Sequence, residues 1–267
     1  MKSWQEKLFK ISLMKKDKVR IISKLIDFSN KEVFDLGCKG GIVSYHLKKN
    51  GGNWIHSDLD LENLFNSKKI LINNIFQTSE NTLPLKDNKF DIALVLDFLE
   101  HVDNDEKILK EISRILKKNG KIIISTPISG NFFSINWIKT KFGLTPQIYG
   151  HRREGYSLSK LNKMLENNGF KVIYSSTYSK FFVEFFETVL NIMYIKMNKV
   201  KTSNLRSGAI SPSSEKDLNK NNRLMKIYST FIYPVICLIT RIDKLLWFKT
   251  GYATLVIADK QRDMMQT

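Results

Sequence analysis

An apolar stretch that ends in an acid and opens onto three glycines, VFDLGCKGG at residues 33–41, leaves a chain few folds to choose from. Val33 and Phe34 suit a strand buried in a parallel sheet, and Gly37, Gly40 and Gly41 turn that strand tightly into a helix. Glycines let the backbone come within contact distance of a bound molecule. The free N–H groups and the dipole at the helix start favour a negative group there. The acidic SDLD at residues 57–60 follows one helix and one strand later, which puts Asp58 where a carboxylate hydrogen-bonds ribose hydroxyls in nucleotide-type sites.

The spacing narrows the ligand. A dinucleotide fingerprint G-x-G-x-x-G beginning at Gly37 needs glycine at positions 39 and 42, where Lys39 and Ile42 stand, and a phosphate-binding P-loop is absent. A nucleoside ligand with a ribose and no obligatory phosphate remains, a description that S-adenosylmethionine fits.

Hydrophobic periodicity extends the pattern on both sides. Val19, Ile22, Leu25 and Ile26 predict a helix over Lys18–Phe28 that covers the sheet edge. Helices are expected at Ile42–Lys49 and Asp60–Lys68, and strands at Asn53–Ser57 and Lys69–Phe76. The apolar run FDIALVL at residues 90–96 is a strand buried on both faces, and its carboxyl end delivers Asp97, Glu100 and His101 to the edge where open α/β sheets bind ligands. A helix over Asn104–Lys118, capped by Asn119 and Gly120, leads to a strand at Lys121–Thr126. After an irregular aromatic stretch come a helix from Ser157 to Asn167 and a strand from Phe170 to Ser176.

Taken in order, DLGCKGG, SDLD and LPLKDNKFDIALVLDFLEHVDNDEKILKEISRILKKNGKIIISTP resemble the class I S-adenosylmethionine-dependent methyltransferases of the type 11 group, over about Glu32 to Tyr178. The segment GHRREGYSLSKLNKMLENNGF is similar to O-methyltransferases of the ubiquinone-biosynthesis kind. The resemblance implies an α/β, Rossmann-like sheet of seven strands, mostly parallel with the last antiparallel, with helices on both faces. It implies S-adenosyl-L-methionine as cofactor, held by Asp35, Gly37, Cys38, Gly41, Asp58, Leu59 and Asp97, and an acceptor met by a lid carrying Tyr149, Arg152, Arg153 and Tyr156. One position departs from the family's D-x-G-x-G-x-G: its middle glycine is Lys39 here. The acidic residue that usually reaches the adenine amine after the third strand is also missing, with Gln77, Thr78 and Ser79 in its place.

Methyl transfer from a sulfonium needs alignment more than functional groups, but an alcohol or phenol acceptor gains from a base near neutral pH. His151 in the lid and His101 after the fourth strand are the candidate bases, with structural hydrogen bonding the alternative for each; His56 is expected inside the sheet and His46 on the surface or in a groove. No metal is expected, because no Asp, Glu and His stand together at ligand spacing. Arg152 and Arg153 suit an anionic acceptor or a solvated lid surface.

The final strand has its best candidate at Tyr252–Ala258, so residues 179–250 form an insertion. It contains an amphipathic helix over Phe181–Met197, a mobile linker at 199–222, and a second helix over Arg223–Phe248 kinked at Pro234. The uncharged run between Lys226 and Arg241 is 14 residues, short of the roughly 20 that span a bilayer. Two roles stay open for this insertion: a lid packed on the core, or an element lying in the membrane interface with Trp247 at headgroup level. The net charge of +17 bears on that choice, since residues 31–140 carry 15 basic and 14 acidic side chains while the flanks hold the excess. A basic surface facing an anionic membrane, an anionic substrate or nucleic acid fits, as does a lysine-rich composition without a partner. Cys38 and Cys237 lie too far apart for a disulfide framework and point to a reducing cytoplasm; the basic opening lacks the apolar run of a secretory signal.

The expected domains are a basic helical segment at 1–30, the donor-binding core at 31–178, the insertion at 179–250 and the last core strand at 251–260. The expected function is O-methylation of a small or lipid-linked acceptor by a cytoplasmic protein, peripheral at the inner face of the membrane. A methyltransferase for a soluble sugar or glycan intermediate is the alternative, and an inactive nucleic-acid-binding protein of the same fold is the alternative of another class. No RNA-binding module supports the last.

Overall fold

The computed structural model describes residues 3–129, 135, 139, 141–142, 144–145, 149–197, 218, 222–246 and 249–261. Most of the expected linker at 199–222, and Trp247, lie outside the described residues. Seven strands form one sheet: β1 (Glu32–Leu36), β2 (Asn53–Asp58), β3 (Ile75–Gln77), β4 (Phe90–Leu96), β5 (Leu116–Pro127), β6 (Phe170–Tyr178) and β7 (Ala253–Lys260). Their order is β3-β2-β1-β4-β5-β7-β6. The first five run parallel, and β7 enters antiparallel between β5 and β6.

Alternation along the strands builds two cores. Phe34, Leu36, Ala93, Val95, Ile122 and Ile124 face α5 (Asp105–Ile115) and α6 (Leu158–Asn167), while Val33, Ile92, Leu94, Leu96 and Ile123 face α2 (Leu13–Leu25) and α3 (Ile42–Lys48). Each fully buried Leu, Ile or Phe in these layers contributes about 1.5–3 kcal/mol. Strand order reverses between β1 and β4, so their carboxyl ends border the crevice in which open α/β sheets hold ligands.

Three boundaries differ from the periodicity. The helix expected to run to Lys118 stops at Ile115, because the amides of Asn88 and Lys89 and the ammonium of Lys260 take the carbonyls of Arg114, Ile115 and Leu116. The strand then starts at once, and Asn119 (φ 62°) bends it. The expected strand at 69–76 shrinks to β3, because Leu64 and Leu71, seven residues apart, both pack on Cys38 and carry α4 (Leu61–Leu71) through that stretch. The helix covering the sheet edge starts earlier than expected, at Leu13, behind a short α1 (Trp4–Phe9).

The insertion folds over the carboxyl edge. Its first helix, α7 (Phe181–Met197), ties to the lid through a buried pair, Lys139 Nζ to Glu184 Oε1 at 2.6 Å, and to α2 through Glu187, which accepts from Ser12 Oγ and the Met14 amide. Its second part is a helical arm: α8 (Asn222–Ile227), a widened turn (Tyr228–Ile232), α9 (Tyr233–Ile239) and a tight turn (Thr240–Lys244). Pro234 has no amide to give and crowds the preceding turn, so the chain widens there and the Tyr233 amide bonds back to Tyr228 instead. The arm over 225–244 has the length of a membrane-crossing helix and holds an 18-residue window of mean hydropathy 1.3, where the charges at Lys226 and Arg241 predict a shorter apolar run.

Candidate active site

The glycine turn is fixed by sterics. Gly37 (φ 82°) sits so close to Phe98 that a Cβ would come within 2.6 Å of its ring, and Gly41 (φ 77°) starts α3 in the left-handed region. The amides of Gly37 and Cys38 both donate to the Ser57 carbonyl. A Cβ on Gly40 would meet nothing within 4 Å, so the turn opens there onto free space. Lys39, in place of the family's glycine, is also left-handed (φ 49°), and its amide donates to Asp58 Oδ2 at 2.8 Å. The other Asp58 oxygen accepts from the Asp60 amide and from Asn63 Nδ2. Asp58 therefore stands rigidly at the rim of the turn, as a ribose-binding carboxylate must. This cradle fits an adenosyl ligand: open space beside backbone amides, with a fixed carboxylate one strand over.

The remaining expected donor residues take distinct places. Asp35 is buried and bonded to His56 Nδ1 at 2.8 Å, an internal pair beneath the turn. Cys38 packs against Leu64 and Leu71, and burial pushes its thiol well up. Leu59 packs on the main core, and its carbonyl accepts from Gln77. Asp97 ends β4 with a left-handed backbone (φ 50°), and its carboxylate pairs with Lys18 of α2. Burial opposes ionisation of Asp97, but the charges of Lys18 and Lys39 outweigh it and hold the carboxyl below the usual range.

Beyond Asp97 a turn (Leu99–His101) brings Glu100 and His101 against His151 of the lid. One ligand atom from each lies within 4.8 Å of the others; both histidine Nε2 atoms stand 4.0 Å from Glu100 Oε1, and the rings meet edge to face at 4.9 Å. His101 Nδ1 faces the Gly150 carbonyl at 2.9 Å; a carbonyl only accepts, so that nitrogen carries the proton and Nε2 offers its lone pair to the cluster. Both Glu100 oxygens and His101 Nε2 are buried without a hydrogen-bond partner. Burial and the charge of Asp97 push Glu100 up to about 8, while burial and the nearby Lys39 bring His101 down to about 4. Burial and the neighbouring His101 bring His151 down to about 3. All three groups are thus uncharged at neutral pH.

Two imidazole nitrogens and one carboxylate oxygen within 4.8 Å of one another, with both Glu100 oxygens and His101 Nε2 buried and lacking hydrogen-bond partners, are a donor set that suits a divalent cation. This modifies the expectation of no metal cluster: the third member comes from 50 residues further along the chain, beyond what spacing reveals. His101 and His151, the two expected bases, stand together.

The expected acceptor residues hold the lid in place. Arg152 bonds Asp103 and the His101 carbonyl, and its own amide donates to the Glu100 carbonyl. Arg153 bonds Asp105 and the Val102 carbonyl, and Tyr156 donates to Asp105 and to the Leu99 carbonyl. These guanidinium groups are engaged by the chain's own acids, where an anionic acceptor was expected. Tyr149 packs beside Leu144, Ile192 and Ile195, 5.5 Å from the His151 ring. Of the other histidines, His56 is buried in β2 as expected, and His46 stacks beneath Phe9 at 3.8 Å. Lys18 went unnoticed in the sequence, where it is one lysine among many; only its burial at 6% exposure distinguishes it.

Comparison with known proteins agrees with the fold that carries this site. Residues 34–124 match the family described as a methyltransferase domain. A ubiquinone biosynthesis O-methyltransferase of Coxiella burnetii is 26% identical over 178 residues, which cover 62% of this chain and 75% of the relative. An uncharacterised protein of Methanocaldococcus jannaschii is 41% identical over 104 residues, or 36% of this chain and 42% of its own length. A solved S-adenosylmethionine-dependent methyltransferase from Thermotoga maritima, titled a possible histamine N-methyltransferase, superposes with a TM-score of 0.58 at 18% identity, covering 96% of this chain and 94% of that one, and so shares its fold. The candidate donor cradle lies at the carboxyl edge of the sheet within residues 34–124, which match a methyltransferase domain, and the chain shares the fold of solved S-adenosylmethionine-dependent methyltransferases.

Proposed function

We propose that the protein transfers the methyl group of S-adenosylmethionine to a hydroxyl oxygen of a small or lipid-linked acceptor, a phenol or alcohol. The observation that carries this is the uncharged trio Glu100, His101 and His151, in which both Glu100 oxygens and His101 Nε2 are buried without hydrogen-bond partners beside the donor cradle. The printed names of the relatives, ubiquinone biosynthesis O-methyltransferases, support oxygen as the atom methylated.

In this proposal Asp58 and the turn from Gly37 to Gly41 orient the donor, and Lys18 neutralises Asp97 so that two carboxylates do not crowd the sulfonium. The acceptor enters between the lid and β4, and water is excluded by the Arg152 and Arg153 bonds that close the lid on the turn after β4. Alignment of this kind is worth roughly 7–11 kcal/mol. His101 at Nε2, or His151, takes the hydroxyl proton as the methyl group is transferred, both imidazoles being neutral near pH 7. In place of that base, a divalent cation held by Glu100, His101 and His151 would occupy the same nitrogen lone pairs and act as a Lewis acid that lowers the pKa of the acceptor hydroxyl. A cytoplasmic setting, at the inner face of the membrane, agrees with two free cysteines, Cys38 and Cys237.

The test is transfer from methyl-labelled S-adenosylmethionine to paired phenol, amine and carboxylate acceptors, read by mass spectrometry. Label on the phenol oxygen, lost in His151→Ala, is the expected result. Label on nitrogen or on the carboxylate with the phenol untouched overturns the proposal.

A further inference from the structure

On the helical arm, Ile227, Phe231, Val235, Leu238, Ile242 and Leu245 are 45%, 70%, 54%, 59%, 44% and 73% exposed. They recur at intervals of four, four, three, four and three residues, so they form one stripe about 27 Å long at 1.5 Å per residue. An isolated exposed apolar side chain needs no explanation, but a continuous stripe does. It is not the outer side of a core helix, because only 17% of the apolar window from Met225 to Lys244 is buried.

The opposite face is committed to the protein. Tyr233 and Ile236 pack on Leu13 and Val183, and Asp243 accepts from the amides of Phe182 and Val183 at the start of α7. An arm fastened along one side in this way lies on a surface rather than crossing a bilayer.

From this geometry we infer that the stripe docks on an anionic lipid bilayer, with the arm lying in the interface. The charges select this occupant. Lys226, Arg241 and Lys244 are exposed along the arm, and Asp243, the acidic residue among its described positions, is turned inward at 7% exposure. A second copy seated on the stripe would bring these cations against their own counterparts with no exposed acid on the arm to pair them. Anionic headgroups supply the opposite charge at the depth where the apolar stripe enters the acyl boundary. The arm packs on α2 and α7, the helices that roof the donor cradle, so docking brings the site to the membrane surface. This inference is independent of the acceptor's chemistry.

Co-sedimentation of the full chain with vesicles of equal parts phosphatidylcholine and phosphatidylglycerol, against phosphatidylcholine alone, is the test. The wild type should pellet with the anionic vesicles, and Phe231→Asp combined with Leu238→Asp should lower the bound fraction at least about tenfold. Arg241→Glu with Lys244→Glu should lower it severalfold and remove its sensitivity to salt. Calorimetric binding of S-adenosylmethionine, unchanged in both variants, confirms that they fold. The inference is overturned if the wild type stays in the supernatant, if the folded aspartate variant pellets like the wild type, or if sedimentation velocity without lipid shows a dimer that the aspartates dissociate.

Discussion

Asp58 holds three protein donors, which makes it a scaffold for the turn, and its further lone pairs are the proposed contact to a ribose. Asp58→Ala should weaken S-adenosylmethionine binding by roughly 1–3 kcal/mol in calorimetry, through lost hydrogen bonds to a charged group and a released Lys39 amide. Glu100 gives a pH signature. Its folded pKa of about 8 lies above the ordinary 4.5, so its contribution to stability is complete below pH 4.5 and is lost as pH rises through 8. His101 and His151, lowered from 6.5 to about 4 and 3, contribute above pH 6.5 and lose that contribution as pH falls through those values. Thermal melts should therefore show Glu100→Gln more stable than the wild type at pH 9 and little different at pH 5; equal melting temperatures at pH 9 would remove Glu100 from its buried site. Because a cation needs Glu100 ionised, zinc ions should raise the wild-type Tm more at pH 8 than at pH 6, and should not do so in Glu100→Gln. The shape of the glycine turn and the place of Asp58 beside it were legible in the sequence because both are local. The cluster was not, since His101 and His151 are 50 positions apart and meet only through the lid.

At the scale of elements, the lid is held by a ladder that its sequence hides. Asp105, at the start of α5, accepts from Arg153 and from the buried Tyr156 hydroxyl, and Arg152 reaches Asp103 one turn earlier. Charge-assisted bonds of this kind contribute more than neutral ones, so Tyr156→Phe should cost about 1.5–3 kcal/mol in urea unfolding. It should also lower kcat while leaving donor binding intact, because the lid carries His151. A variant with unaltered stability and turnover would show that Tyr156 does not fix the lid. The strands were legible because each is an apolar run of the right length, FDIALVL above all. Where α5 ends was not, because the groups that take its last carbonyls, from Asn88, Lys89 and Lys260, come from distant parts of the chain.

Across the whole molecule, segments from both ends of the chain cap the crevice that the middle builds: α2 supplies Lys18 and the insertion supplies Glu184 and Glu187. Composition located the basic excess in those flanks without revealing that one of its lysines enters the site. The Lys18 side chain is 8% exposed and that of Asp97 35%, so the pair is partly screened. Removing one partner leaves an uncompensated charge in a poorly solvated place, which is more costly than removing both. Lys18→Met should thus destabilise the protein by roughly 1–3 kcal/mol, less than a fully buried pair would, and Lys18→Met with Asp97→Asn should recover most of that loss. Donor affinity should follow a different course. If α2 roofs the methionyl end of the donor through Lys18, affinity falls in the single variant and stays low in the double, whereas stability is restored. Parallel recovery of both quantities would mean that Lys18 serves only to neutralise Asp97, and that the amino-terminal helices close the crevice without touching the donor.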